Sequence, residues 1–265
     1  MIAQISHSIR TANAPIQLFL FRQQAAARRA SQADFHHSGR LRPIRLEANM
    51  SATPRLERAL VAAGPAAVLE RLPKMGVVMV NTRFGGATHE RMGNVAKVAV
   101  AGEKYICSGD EHDSEIDASA VATVVIDRTG KMQDKVLPRI DFFDEAGAVV
   151  FSVIGMDGLE PFDAGLEGVD ESAATDAPEK PERQKAEYAE GDPGMAPFET
   201  AMKSGAKVRI QQIRPGFRQA WTGVIERVSP GMGFINVMRP DFHLHLRGGA
   251  VAGWRREGAG DDVRL

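Results

Sequence analysis

The chain has 265 residues and a single cysteine, Cys107. That excludes an intramolecular disulfide framework and any cysteine-only metal cluster. Long apolar runs are missing as well. The longest candidates, Ile16 to Phe21, Gly76 to Val80 and Ala118 to Ile126, fall well short of the roughly 18 to 20 residues that a membrane-spanning helix needs, so no membrane partner is expected. Aromatic residues make up 6%, which leaves few platforms for stacking bases. The formal charge is −1, so the molecule as a whole does not attract polyanions. Together these points argue against a nucleic-acid partner. The motifs G-x-S-x-G and H-E-x-x-H, a P-loop, and a G-x-G-x-x-G joining a strand to a helix are all absent. Catalytic signatures therefore leave open whether the protein is an enzyme. What remains is an ordinary globular composition, 43% hydrophobic and 25% charged, which rules out global disorder.

The small net charge hides four blocks. Residues 1–49 carry seven arginines against two acids, a net +5; residues 50–165 net −5; residues 166–199 net −7; residues 200–265 net +6. The first block is arginine-rich and poor in acids, which fits a transit peptide and equally fits an upstream extension from a wrong start codon. Met50 opens Met-Ser-Ala-Thr-Pro, which reads like a natural beginning. Residues 1–49 are therefore set aside as a disordered extension or mis-assigned start. Residues 166–199 hold Pro178, Pro181, Pro193 and Pro197 among charges; ordering them would cost entropy with little burial in return, so they read as an acidic linker. It separates an N-terminal unit, 50–165, from a shorter C-terminal unit, 200–265.

Between Pro54 and Leu72 the apolar spacing predicts two short helices or one kinked at Gly64-Pro65. Thereafter the pattern is β. Strands are expected at Gly76 to Thr82, Val95 to Val100, Lys104 to Cys107, Ala118 to Asp127, Val136 to Phe143 and Ala148 to Ile154, the last two joined by Asp144-Glu145-Ala146-Gly147. After the linker come Val208 to Ile213, Thr222 to Val228, Gly233 to Met238, Phe242 to Arg247 and Ala250 to Arg255. Gly93-Asn-Val-Ala-Lys-Val98 resembles Gly223-Val-Ile-Glu-Arg-Val228, each downstream of an arginine (Arg83, Arg214) and a glycine turn. The expected fold is α+β: predominantly antiparallel twisted sheets with flanking helices, in two unequal repeats.

Two sets of segments carry a family resemblance. Phe234-Ile-Asn-Val-Met-Arg-Pro-Asp-Phe-His-Leu-His-Leu-Arg247, followed by Ala250-Val-Ala-Gly-Trp254, resembles the C-terminal repeat of the bacterial haem-utilisation factors of the HemS/ChuX type. Leu69 to Gly76, Thr82-Arg83, His89 to Gly93 and Ile140 to Val149 resemble the N-terminal repeat, in the same order. The resemblance implies twisted antiparallel sheets, a cytoplasmic location, and haem as the ligand, either carried or degraded. The chain departs from the pattern in places. Ser119 stands where the family has an arginine, and the linker contains no histidine, where longer relatives place the iron-binding one.

Haem iron needs an axial donor, most often imidazole, in an apolar setting with basic groups for the propionates. Beyond residue 49 there are four histidines. His89, near Arg83, and the pair His243 and His245 are the candidates for haem contact, with His89 and His245 the expected iron ligands. His243 and His245 lie two apart on a strand and share one face, with no third ligand evident in the sequence nearby. Arg83, Arg255 and Arg256 are the candidate propionate partners. His112 sits among Asp110, Glu111 and Asp113 and reads as a charged imidazolium on a solvated loop. The expected seat is an apolar slot between the two halves. An unfinished C-terminal sheet would expose an edge that a second copy could cover, giving a homodimer. The alternative reading is a scaffold or interaction protein that kept the fold and lost the haem ligand.

Overall fold

A computed structural model describes residues 16–21, 55–174, 186–259 and 262–264. The elements in chain order begin with strands β1 (Ile16–Phe21) and β2 (Arg58–Val61), a single helical turn α1 (Ala66–Leu69) and a 3-10 turn at Leu72–Lys74. Next come β3 (Val77–Phe84), β4 (Ala87–Asn94), β5 (Lys97–Ala101), β6 (Lys104–Ser108), β7 (Asp113–Asp117) and β8 (Thr123–Asp127). Two short strands, β9 (Lys131–Met132) and β10 (Lys135–Val136), precede the hairpin β11 (Arg139–Phe143) and β12 (Val149–Gly155). Helix α2 (Leu159–Gly165), β13 (Glu171–Ala173) and helix α3 (Ala196–Ser204) lead to β14 (Lys207–Arg214) and β15 (Phe217–Val224). The chain continues with β16 (Val228–Gly231), β17 (Phe234–Arg239), β18 (Phe242–Arg247), β19 (Glu257–Ala259) and β20 (Asp262–Arg264).

Two large sheets result, and every strand pairing in them is antiparallel. The larger runs β13-β2-β8-β11-β12-β3-β4-β18-β17-β16 and the smaller β19-β20-β1-β14-β15-β7-β6-β5. Neither sheet belongs to one half of the chain. The hairpin β3–β4 receives β18 from the C-terminal half, with Leu244 opposite His89. The hairpin β14–β15 receives β7 from the N-terminal half, with Gln219 opposite Ser114. Each half thus supplies a long hairpin to one sheet and a three-stranded meander to the other. The two hairpins turn by the chemistry their sequences allow. Gly85 and Gly86 both have positive φ, 58° and 85°, as a type I′ turn demands. Pro215 fixes one corner of the other turn, and Gly216 supplies φ 76° at the next position, the type II arrangement.

The sheets face each other across two apolar clusters. One gathers Val78, Val80, Ile126, Ile140, Val153 and Phe162 with Tyr105 and Ile116. Within it Phe142, Phe151 and Phe217 form a stack with ring centroids 4.1 and 4.8 Å apart. The other gathers Phe198, Ile210, Trp221, Ile235, Phe242 and Leu244. Between them lies a polar joint. Gln219, wholly buried, donates to the Val80 carbonyl (3.1 Å) and the His89 carbonyl (3.2 Å) and lies 3.0 Å from His89 Nδ1. Its Oε1 accepts from Ser114 Oγ at 3.0 Å. Its register partner Gln212 donates to the carbonyls of Phe84 and Ala87, both at 3.1 Å. Arg214 reaches the carbonyls of Val149 and Val150 and lies over the Phe84 ring.

Several sequence expectations change. Arg58–Val61 is a strand, not helix. Ala59 and Val61 are buried and Leu60 is exposed, a period-two pattern set by pairing to β8 and β13. Ala87–Asn94 is a strand that the sequence hides, because its inward residues include His89 and Arg91. Ala118–Ala120 is a 3-10 turn capped by Asp117, not the start of β8. Ala250 to Arg255 forms no strand; the Trp254 indole is held instead by the Pro193 carbonyl at 2.8 Å. Both described flanks of residues 166–199 are built into the fold: Glu171–Ala173 extends the larger sheet, and Met195 and Phe198 are core. Residues 175–185 lie outside the described residues. Of residues 1–49, Ile16–Phe21 pairs with β14 over six residues. The chain's own β1 therefore covers the β14 edge of the smaller sheet. The rest of that segment lies outside the described residues.

The buried joint predicts a measurable cost. Gln219→Leu removes the bonds donated to the Val80 and His89 carbonyls, the contact with the His89 ring and the bond accepted from Ser114, leaving each of these groups short of a partner. The loss of stability should be about 2 to 4 kcal/mol, read from urea unfolding. A change below about 1 kcal/mol would mean the joint is not a structural tie.

Candidate haem- and metal-binding face

Strand β18 reads Phe-His-Leu-His-Leu-Arg, and its burial alternates with it. Phe242, Leu244 and Leu246 point into the core, and His243 and His245 point to the outer face of the larger sheet. Register then fixes their neighbours. His243 stands opposite Glu90 on β4, and Glu90 opposite Asn81 on β3. His245 stands opposite Thr88 on β4 and Asn236 on β17, and Thr88 opposite Arg83. Two cross-strand rows form, one Asn81–Glu90–His243–Met238 and the other Arg83–Thr88–His245–Asn236. Met79, Met92, Ile154 and Phe234 share this face by alternation along their strands. The four strands β3, β4, β18 and β17, about 4.8 Å apart, give it a width of roughly 14 Å.

Glu90 Oε2 lies 3.2 Å from His243 Nδ1 and 3.9 Å from His245 Nε2. The three ligand-capable atoms lie within 4.8 Å of one another. The side chains are partly open, with relative exposures of 14% for Glu90, 26% for His243 and 30% for His245. Glu90 Oε1 accepts from Asn81 Nδ2 at 2.7 Å. Asn236 places its amide nitrogen among the carbonyls of Ser229, Gly231 and Phe234, at 3.2 to 3.4 Å. That orientation turns its Oδ1 to His245 Nδ1 at 2.7 Å. Nδ1 therefore carries the proton, and Nε2 presents its lone pair. Burial lowers the His245 pKa first of all, the Glu90 carboxylate pulls it up, and His243 and Arg83 push it down.

The sequence candidates separate on this geometry. Arg83, His243 and His245 come together on one face. His89 does not join them, although its neighbour Glu90 does. It points inward, is 0% exposed, stacks at a tilt on Phe242, and has Nε2 3.4 Å from the Ile210 carbonyl. Burial, then Arg91, drives its pKa from 6.5 to about 3. With both ring nitrogens engaged inside the core, His89 has no room to ligate iron, and the expectation for it is corrected. Arg255 and Arg256 are exposed beyond Trp254, and no described contact brings them to the histidines. The space between the two sheets is occupied by the two apolar clusters. A cavity of about 450 Å³ at the hairpin turns, lined by Arg83, Phe84, Ala120, Asp144, Val149, Val150 and Arg214 among others, holds no imidazole.

Two residues were read differently from sequence. Glu90 was missed as a third donor because it is 153 residues from His243; the pairing of β4 with β18 brings them together. His112 is no solvated imidazolium. It is 2% exposed, its Nε2 is 3.1 Å from the Gly93 carbonyl, and burial lowers its pKa to about 4. The Gly93 hydrogen bond pulls it up less strongly than burial pushes it down, and Arg91 adds to the lowering. Cys107 is inert core, as expected: it is buried, and desolvation pushes its thiol to about 12.

Residues 44–163 match the family model described as the haemin-degrading HemS.ChuX domain. Over that stretch the chain resembles the HemS/ChuX type. No curated protein matches it. Among solved structures, the Escherichia coli haem oxygenase ChuS is 17% identical, with a TM-score of 0.61 over 78% of this chain and 77% of that one. The haem-bound form of PhuS, a haem-binding protein from Pseudomonas aeruginosa, is 18% identical, with a TM-score of 0.59 over 72% and 71%. At these identities the likeness is one of fold. It covers a larger share of the chain than the matched domain does.

His112 makes the fold acid-sensitive. Its folded pKa, about 4, lies below the ordinary 6.5. The unfolded chain therefore binds the extra proton first, so stability is full above pH 6.5 and falls as pH drops toward 4. The contribution is on the order of 1 kcal/mol per pH unit in that window. Thermal melts should show His112→Leu losing less stability than the parent between pH 7 and pH 4.5. Parallel loss in both would assign the acid sensitivity elsewhere.

Proposed function

We propose that the protein binds haem on the outer face of the larger sheet, as a cytosolic haem-handling protein of the HemS/ChuX type. The observation that carries this reading is the paired, partly open imidazoles of His243 and His245 on a face that also holds Met79, Met92, Met238 and Phe234. Thioether and aromatic side chains give a flat tetrapyrrole an apolar bed. His245 is the better axial donor, since Asn236 fixes its Nδ1–H and leaves Nε2 bare. Arg83, in the same row as His245, is the propionate partner. Haem would supply a redox-active iron centre there, suited to carriage or to oxidative opening of its own ring. The protein's part is to orient the ligand, screen it with the methionines, and hold the donor nitrogen unprotonated.

The two-repeat reading belongs to the same proposal. Each half runs helix, a hairpin of two eight-residue strands, meander, and His89 and Gln219 occupy the same third position of the hairpin's second strand. That correspondence supports descent from one repeated unit, of which only the second copy's meander carries the imidazole pair. A second reading, a scaffold that has lost its cofactor, is favoured by the sealed position of His89.

Haemin titration of the full chain decides between them. A Soret band should grow to one haemin per chain and shift in His245→Ala, with a smaller shift in His243→Ala. Arg83→Ala should weaken binding several-fold without moving the band, as a partly exposed ion pair contributes about 1 kcal/mol or less. No saturable band, or a band unchanged in both histidine variants, would leave the scaffold reading. Absorbance followed with haemin and a reductant then separates carriage from breakdown.

A further inference from the structure

We infer that Glu90, His243 and His245 form a binding site for a bare divalent first-row transition ion, independent of haem. Three donors of the right kind converge: one carboxylate oxygen, one Nδ1 and one Nε2, within 4.8 Å of one another. Two imidazoles and a carboxylate are a borderline N/O set that suits Zn²⁺, Fe²⁺ or Co²⁺, with positions left for water or a small ligand. Hard ions such as Ca²⁺ would want more oxygens.

The outer contacts are those of a ligand set. Asn81 occupies Glu90 Oε1 at 2.7 Å, so the free carboxylate oxygen is the one facing the imidazoles. Asn236 occupies His245 Nδ1 at 2.7 Å and is itself held by backbone carbonyls. The consequence is an unfavourable pairing in the bare protein. The Nε2 lone pair of His245 faces the Glu90 Oε2 lone pairs at 3.9 Å, acceptor against acceptor, with no proton between them. A cation placed among the three atoms turns that repulsion into two bonds. His243 now donates its Nδ1–H to the same oxygen at 3.2 Å; to bind the ion through Nδ1 the neutral ring takes its other tautomer, with the proton on Nε2. The strands hold all three donors on paired backbone, so the ligands need side-chain adjustment and no refolding.

The ion needs neither the methionine bed nor Arg83, so the inference stands or falls apart from the haem reading. Co²⁺ is the probe, added to the full chain after chelator treatment and followed by visible d–d absorption. One Co²⁺ per chain is expected, displaced by Zn²⁺. Glu90→Gln and His245→Ala should each weaken binding at least tenfold. Asn236→Ala, which touches no ion, should weaken it by about 10- to 100-fold. His112→Leu serves as the distant control and should leave the titration unchanged. Thermal melts in chelator check that each variant is folded. Absence of saturable Co²⁺ absorption up to millimolar ion, or absorption that persists in Glu90→Gln and His245→Ala, overturns the inference. A parallel haemin titration keeps the two ideas apart: haemin binding without Co²⁺ binding sinks only the ion site, and the reverse sinks only the haem reading.

Discussion

The structure depends on a buried amide. Gln219 sits between two sheets with no solvent to satisfy it, so each of its polar atoms must find a protein partner. It finds them on the opposite hairpin, at the Val80 and His89 carbonyls and the His89 ring, and on β7 at Ser114. These partners all come from the N-terminal half of the chain, whereas Gln219 comes from the C-terminal half. Apolar clusters alone would hold the sheets together in many slightly shifted ways, because dispersion and hydrophobic burial have little directionality. The joint selects one arrangement, because a slip of either hairpin by one residue would strand several buried polar groups at once.

The same joint decides what the larger sheet offers outside. His89 is locked inward, so its neighbours Thr88 and Glu90 must face outward. Leu244 pairs with His89 and also faces inward, so His243 and His245 face outward beside Glu90. The carboxylate and the two imidazoles therefore meet because their neighbours are needed in the core. The swap of meanders between halves is essential to this. Were β18 paired to the hairpin of its own half instead of to β4, His243 would not stand beside Glu90.

Much of the fold could be read from residues. The alternation in Phe-His-Leu-His-Leu-Arg, the turn glycines and the hairpin around Asp144 to Gly147 all report on local chemistry, and the structure agrees with them. The failures share a cause. Ala-Thr-His-Glu-Arg-Met-Gly-Asn has no apolar alternation to announce a strand, because its inward His89 and Arg91 are satisfied by partners far away in sequence. The Arg91 guanidinium donates to the Glu111 carbonyl, and His89 meets β14 and β15. His112 misled in the same way: its acidic neighbours are visible in the sequence, whereas the packing that desolvates it is not. The site was half legible for that reason. Strand periodicity put the two histidines on one face. Only the pairing of β4 with β18 supplied the glutamate.

Burial and function also divide the histidines by a single criterion, the fate of the second ring nitrogen. A histidine that serves structure has both nitrogens engaged or walled in, as in His89, whose ring lies between Gln219 and the Ile210 carbonyl. A histidine that can serve a metal has one nitrogen engaged and the other facing space that solvent reaches. His245 meets that condition through Asn236, and Asn236 meets it only because three carbonyls of the β16–β17 turn fix which way its amide points. The turn thus sets a tautomer two strands away from Glu90. Sequence spacing identifies pairs of imidazoles readily. Whether such a pair can act as a ligand is decided one shell further out, by the groups that hold each ring's other nitrogen.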